Sequence, residues 1–294
     1  MPPFARTAVR LDDDDDDHLS VHDFQRIASL IGKEVGIKLP PTKRLMVEGR
    51  LRKRIRVLGL SSFDRYGDLL FRSEGGLEAE LPFLINAVTT NKTDFFREPE
   101  HFECMEKVLV PKLLEARRSE RKPLLKVWSA ASSTGAEAYS IAMLLADIVA
   151  QQRDFRFAVL GTDISSDVLD QGRRAVYPAD QVVPVPPAMH SRYIMHARRP
   201  GLRPEVRIVP ELRRLVRFER LNLMDAAYPF DKDVDIIFLR NVLIYFEKQD
   251  QAAVVTRLVN HLRPGGYLLL GHSESMIGTS VTMRQVAPAV FQRV

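Results

Sequence analysis

Two acids, one at the start of a helix and one at the end of a strand, carry the chemistry this sequence can do. Glu137 stands just after the turn in Lys126 to Ser140, KVWSAASSTGAEAYS, and Asp163 closes the next apolar run, Phe157 to Ile164, FAVLGTDI. A helix start aimed at a ligand ordinarily receives an anion, and a pyrophosphate also needs a glycine-rich turn for close backbone approach. Here the turn Ser132 to Gly135 has one glycine, and Glu137 occupies the place of the anion. The ligand expected is therefore cationic at that end: an adenosyl sulfonium bearing an α-amino group suits better than a dinucleotide. A strand-terminal acid such as Asp163 can accept from both ribose hydroxyls. Taken alone, Asp163 could equally cap the following helix, as Ser165, Ser166 or Asp167 could. Paired with the single-glycine turn, the ribose role accounts for more.

The elements that must position these acids follow from periodicity. Leu125, Val127 and Trp128 form a strand, and Tyr139, Ala142, Met143 and Ala146 give the apolar face of a helix packed on a sheet. Further strands are predicted near 157–162, 216–219, 234–239, 266–272 and 289–293, alternating with helices, which specifies a mainly parallel sheet covered on both faces. The turn Arg263-Pro264-Gly265-Gly266 ends a helix and starts a strand. Between Tyr177 and Leu215 the rhythm breaks into prolines and a run of arginines from Arg198 to Arg214. This reads as an insertion of a few short antiparallel strands, at about 178–215. Val206 to Val209 suits an edge strand whose exposed backbone could pair with an incoming peptide, although an ordinary structured excursion fits as well.

The first part of the chain is different in kind. Residues 1–18 hold Pro2, Pro3 and the run Asp12 to Asp17, and are expected to be a disordered acidic tail. Formal net charge is +5, and with six negatives in that run the remainder carries about +11, which favours acidic partners. Residues 19–87 are predicted as a small all-helical domain, begun by a capping box at Ser20 and Asp23. Its second helix, starting after Pro40-Pro41-Thr42 and stopping near Gly59, puts Val47, Leu51, Ile55 and Leu58 on one face and Arg50, Arg52, Lys53 and Arg56 over most of the rest, answered only by Glu48. That exceeds what solubility requires and predicts a partner-binding face. Nucleic acid is the generic candidate, but no aromatic residue is available to stack on bases, and an acidic protein surface serves equally well. A loop at 88–99 joins this domain to residues 100–294. The lone Cys104 excludes an internal disulfide, and no leader or 18-residue apolar run is present, so a soluble protein of a reducing compartment is expected.

With these pieces assembled the chain resembles the CheR family of chemotaxis receptor methyltransferases from about residue 20 onward. The similarity rests on Asn91-Lys92-Thr93-Asp94-Phe95-Phe96-Arg97, Trp128 through Ser140, Gly161 to Ile164, Asn222-Leu223, Phe238 to Phe246, and Gly271-His272-Ser273-Glu274-Ser275, in that order. The resemblance implies an α/β class I methyltransferase domain with a mainly parallel, Rossmann-like sheet, an N-terminal all-helical domain and an inserted antiparallel β-subdomain. It implies S-adenosylmethionine as methyl donor and S-adenosylhomocysteine as product. Glutamate side chains of chemoreceptor cytoplasmic helices would be the acceptors. Carried over by position, Asn91, Thr93 and Arg97 would contact the methionine end, Glu137 the amino group and Asp163 the ribose. Asn222 and Leu223 would lie at the adenine, with Arg240, Asn241 and Tyr245 beside the reacting centre. Arg97 and Tyr245 would act on the acceptor, Arg97 serving both substrates; no metal is implied. The basic helix, with Arg50, Arg52, Lys53 and Arg56, would face the receptor bundle, and in some members the β-subdomain grips a receptor tail peptide. A cytoplasmic monomer follows, with neither nucleic acid nor an inserted membrane segment. The family pattern Cys-Ser-Thr-Gly-Glu-Glu-Pro is here Ser132 to Ala138, so the first acid and the proline are Ala136 and Ala138 while Glu137 is kept. Two other readings share the donor fold: a methyltransferase of nucleic acid or a small molecule, and a donor-sensing adaptor without turnover.

Overall fold

The computed structural model describes residues 17–151, 154–197, 204–276 and 282–294, which divide into two compact units. One runs to Lys33 and resumes over Leu39–Val88; the other comprises Glu34–Lys38 and Thr89–Val294.

The smaller unit is helical, with α1 (Val21–Val35), α2 (Arg44–Val57), α3 (Phe63–Arg72) and α4 (Gly76–Val88). Side-chain oxygens start two of these: Ser20 accepts the Asp23 N–H at 3.0 Å and Ser62 that of Arg65 at 3.2 Å. Phe24, Ile27, Val47, Leu51, Ile55, Phe63, Tyr66, Leu70 and Leu84 fill its interior. Two acids are buried with them. Glu80 takes a forked pair of bonds from Arg54 at 3.0 and 2.6 Å. Burial pushes the Glu48 carboxyl up, but bonds from His18, Arg52 and the Leu19 N–H outweigh it and hold the group below its usual range. The cations of α2 are thus answered by Glu80 as well as Glu48, and they are not equivalent. Arg52 is half-buried, donating to Glu48 at 2.9 Å and to the Asp17 carbonyl at 2.8 Å, whereas Arg50, Lys53 and Arg56 are exposed.

Asp17 and His18, assigned to the acidic tail from sequence, are bonded within this unit instead. The Asp17 carboxylate accepts the N–H of Phe63 at the start of α3, and His18 Nδ1 lies 3.0 Å from Glu48. The rest of that tail, with Asp12 to Asp16, lies outside the described residues.

The larger unit opens on α5 (Pro99–Cys104), a π-helical segment Met105–Leu109 and α6 (Val110–Ala116), a helix broken by a wider turn. Pro111 explains the break, because it has no N–H to return to the preceding turn and a wider turn absorbs it. Then follow β1 (Leu124–Ala130), α7 (Ala136–Ala150), β2 (Arg156–Asp163), α8 (Ser166–Arg174), β3 (Val176–Pro178), α9 (Pro187–Tyr193), β4 (Ile194–His196), β5 (Glu205–Ile208), α10 (Pro210–Arg213), β6 (Val216–Arg220), β7 (Val234–Leu239), α11 (Lys248–Val259), β8 (Leu262–Leu270), β9 (Met283–Ala287) and β10 (Val290–Arg293). The main sheet runs β6-β2-β1-β7-β8-β10-β9, parallel from β6 to β8, with β10 antiparallel to both its neighbours. All six residues of β7 are buried, as a strand covered on both faces must be. Trp128 is fully buried in β1 and its indole N–H donates to Thr162 of β2 at 2.9 Å.

The insertion forms a separate three-stranded antiparallel sheet in the order β3-β5-β4. This corrects the expectation for Val206 to Val209: β5 is the central strand, paired on both sides, with Val206 and Ile208 buried. Its flanking prolines suggested an edge, but the preceding strand β4 covers one side and β3, about thirty residues earlier, returns on the other. Within the arginine run, residues 198–203 lie outside the described part of the chain.

Candidate active site

The sheet order reverses beside β1, whose neighbours are β2 on one side and β7 on the other, and ligands of open α/β sheets bind at the carboxyl ends of strands at such a point. Beyond β1 the chain turns through Ala131, Ser133 and Gly135, all with positive φ, into α7. Gly135 is required there twice over: its φ is +87°, and a Cβ would lie 2.7 Å from the Phe218 ring.

Asp163 braces this turn from the end of β2. It accepts the Ser133 N–H at 2.9 Å on one oxygen and the Ser165 N–H at 3.0 Å on the other. Burial raises its pKa, and these bonds oppose the rise. Asp163 accepts from none of the N–H groups within α8, so helix capping is not its role. The Ser133 hydroxyl in turn donates to the Asn91 carbonyl at 2.8 Å, tying the 88–99 loop to the turn.

A second network surrounds Glu137, which is 8% exposed. The Ser129 hydroxyl donates to one of its oxygens at 2.6 Å and Arg240 Nε to the other at 2.7 Å. Arg240, 7% exposed, also donates to the Arg97 carbonyl at 2.8 Å, to Glu98 at 3.4 Å and to His101 Nδ1 at 3.1 Å. A guanidinium can only donate, so His101 accepts at Nδ1 and carries its proton on Nε2. Burial, then the Arg240 charge, pushes the His101 pKa down to about 4, and the ring is neutral. Its Nε2 is buried without a partner among the described residues. Glu98, His101 and His272 bring ligand atoms within 4.8 Å of one another, but Arg240 already supplies the positive charge that Glu98 faces.

The remaining expected residues divide. Asn241 has φ +57° and donates from its amide to Glu98 at 3.3 Å. Thr93 and Arg97 are half-buried in the loop, where the Arg97 side chain makes one long contact, 3.4 Å, to the Lys92 carbonyl. Tyr245 ends the 3₁₀ turn Leu243–Tyr245; its carbonyl accepts the Lys38 N–H, and its hydroxyl has no hydrogen-bond partner among the described residues. Leu223 is buried, whereas the Asn222 amide is committed to backbone, donating to the Glu34 carbonyl at 2.7 Å and accepting the Met224 N–H. Arg50, Arg52, Lys53 and Arg56 belong to the helical unit. Glu98, His101, Ser129 and Glu274 were not expected from sequence. The signals were the motifs Trp128 to Ser140 and Gly271 to Ser275, noticed without a role for Ser129 or Glu274.

A doubly wound sheet with an acid beyond each of its first two strands defines a class I S-adenosylmethionine-dependent methyltransferase. The all-alpha domain of CheR methyltransferases matches residues 22–89, and the CheR methyltransferase SAM binding domain matches residues 91–290. The chain is 40% identical over 275 residues to a chemotaxis protein methyltransferase of Salmonella typhimurium, covering 93% of this chain and 90% of that one. It is 38% identical over 275 residues to that of Escherichia coli (93% and 91%) and 32% over 277 residues to that of Borreliella burgdorferi (94% and 95%). The chain belongs to the CheR methyltransferase family and is an S-adenosylmethionine-dependent methyltransferase of chemotaxis. Among the described residues no helix is long and apolar enough to cross a membrane.

Proposed function

We propose that this enzyme methylates glutamate side-chain carboxylates on the cytoplasmic helical bundles of chemoreceptors, leaving methyl esters. The observation that carries this is that the site's own acids are committed to hydrogen bonds within the fold. Glu137, Asp163, Glu98 and Glu274 each accept two or more hydrogen bonds, and His101 spends its basic nitrogen on Arg240. None of these groups is free to act as a general base, which suits an acceptor that arrives already ionised. A glutamate does, with an ordinary pKa near 4.3.

The residues fit the donor. Each oxygen of Glu137 and Asp163 accepts one of the bonds named above and keeps a lone pair, for an α-ammonium and a ribose diol respectively. Asn91, Thr93 and Arg97 would hold the methionine end, and Leu223 with the backbone braced by Asn222 the adenine. When bound, the donor supplies a methyl carbon whose bond to sulfur breaks as its bond to the carboxylate oxygen forms, giving ester and thioether with no proton to move. What the chain contributes is aim and exclusion of water. Tyr245, its hydroxyl uncommitted, orients the acceptor, and Arg97 serves both substrates. Arg240 and Asn241 hold the wall between them. Acting on cytoplasmic helices places the enzyme in the cytoplasm, and no step calls for a second copy or a nucleic acid. A receptor tail peptide would add to the outer edge of β3 or β4, since β5 is paired on both sides.

Incubation with labelled donor and either receptor-containing membranes or nucleic acid tests this: label on protein that mild alkali releases supports it, and alkali-stable label or label on nucleic acid overturns it. Asp163→Ala should weaken donor binding about tenfold, near 1.4 kcal/mol, because a charged acceptor of two hydroxyls is lost. Calorimetry showing unchanged affinity would remove Asp163 from the site. For the receptor face, Lys53→Glu with Arg56→Glu should raise the KM for receptor several-fold, more at low salt, with donor affinity unchanged. Arg52 is left intact in that test because it neutralises buried Glu48. Equal loss toward both substrates would mean the face is not a docking surface.

A further inference from the structure

Glu274 lies beyond β8, yet all four hydrogen bonds to its carboxylate come from backbone. One oxygen accepts the N–H of Asn241 at 2.9 Å and of Gly271 at 2.8 Å; the other accepts those of Val242 at 2.9 Å and Leu243 at 2.7 Å. Three successive N–H groups converging from a left-handed residue onward form a concavity for an anion, and here the chain fills it with its own side chain. The reversal so held is the one by which the chain leaves β7. Arg240 lies immediately before it, gripping Glu137, and the 3₁₀ turn ending at Tyr245 immediately after it. Gly271 makes the approach possible: a Cβ there would stand 2.7 Å from the Asn241 amide nitrogen and 2.9 Å from Glu274 itself. Unbraced, three adjacent N–H groups would repel one another and the turn would relax, carrying Tyr245 with it.

We infer that Glu274 is a positioning residue for methyl transfer, a carboxylate clamp that fixes the Asn241–Leu243 reversal and through it the place of the Tyr245 hydroxyl. This rests on the acceptor-orienting role proposed for Tyr245. Glu274→Gln is nearly isosteric, but in either orientation its NH₂ faces two N–H donors, so the clamp opens with little change of volume.

The test measures ester formation, donor affinity and amide exchange in Glu274→Gln, Tyr245→Phe and the double variant. Glu274→Gln should lower kcat between about 10- and 100-fold, the scale of a small misplacement at a reacting centre. The donor dissociation constant should stay within about threefold. In the Tyr245→Phe background the same change should cost much less, since both act through one hydroxyl. Faster exchange of the amides of residues 241–243 should accompany it. An unaltered kcat, the same fold-loss in both backgrounds, donor affinity falling in step with kcat, or unchanged exchange of those amides overturns the inference. If Glu274→Gln does not fold, Glu274→Asp, which keeps the charge one methylene short, is held to the same outcomes. Should the unsubstituted enzyme form no ester at all, the proposed activity fails, and amide exchange alone still decides whether the clamp exists.

Discussion

Arg240→Met is expected to destabilise the protein by about 3–5 kcal/mol, the cost of removing one partner from a buried ion pair and leaving the other uncompensated. The Arg240 side chain is 2% exposed and that of Glu137 10%, so water cannot replace what the guanidinium supplies. Three further acceptors lose a donor with it: the Arg97 carbonyl, Glu98 and His101 Nδ1. Methionine keeps most of the volume, so the loss is electrostatic rather than a cavity. Adding Glu137→Gln should recover part of the stability, because a neutral amide tolerates the site better than an orphaned charge. Urea denaturation of the two variants is the check. A wild-type midpoint for Arg240→Met alone would show that the network does not hold the site together.

Arg97→Ala should act oppositely, leaving stability within about 0.5 kcal/mol while lowering kcat/KM for receptor methylation 100-fold or more, the scale of losing one aimed donor. Its side chain makes a single 3.4 Å contact, so the fold spends little on it, while its carbonyl, which survives the substitution, goes on receiving Arg240. Arg97→Lys should restore only a fraction, since an ammonium cannot present the planar fork to a carboxylate. Alkali-labile methyl on receptor membranes, measured beside thermal unfolding, separates the cases. Normal turnover would exclude Arg97 from the chemistry, and a large drop in stability would make it structural.

What could be read from sequence was whatever local periodicity or residue type encodes. The buried run of β7, the strand-to-helix turn after β1 and the acid ending β2 each declare themselves within a few residues, and together they specify the doubly wound sheet and two of its acids. Glu98, His101 and Glu274 do not. Their roles consist of bonds to groups far along the chain, Arg240 for the first two and three consecutive amides for the third, and neither spacing nor residue type signals such a bond. Asn222 was visible as a residue but not as a brace, because its partner is a backbone carbonyl at Glu34. The position of β5 was misread for a related reason. Proline at its margins is a local sign of an edge, but which strand lies in the middle depends on where β3 and β4 return. The tail was drawn two residues too long, since Asp17 continues an acidic run in sequence while its partner, the Phe63 amide, lies 46 residues away.

The pentapeptide Glu34–Lys38 is counted with the larger unit although the helical unit's sequence lies on both sides of it. It delivers the carbonyl that holds Asn222 and the N–H that meets the Tyr245 carbonyl, and Gly36 in its middle leaves no room for a side chain beside Met224 and Phe246. A fragment cut at residue 88 would therefore lack the segment that ties down Asn222 and meets the Tyr245 carbonyl, and an exchange of helical regions between relatives would have to leave these five residues with the recipient.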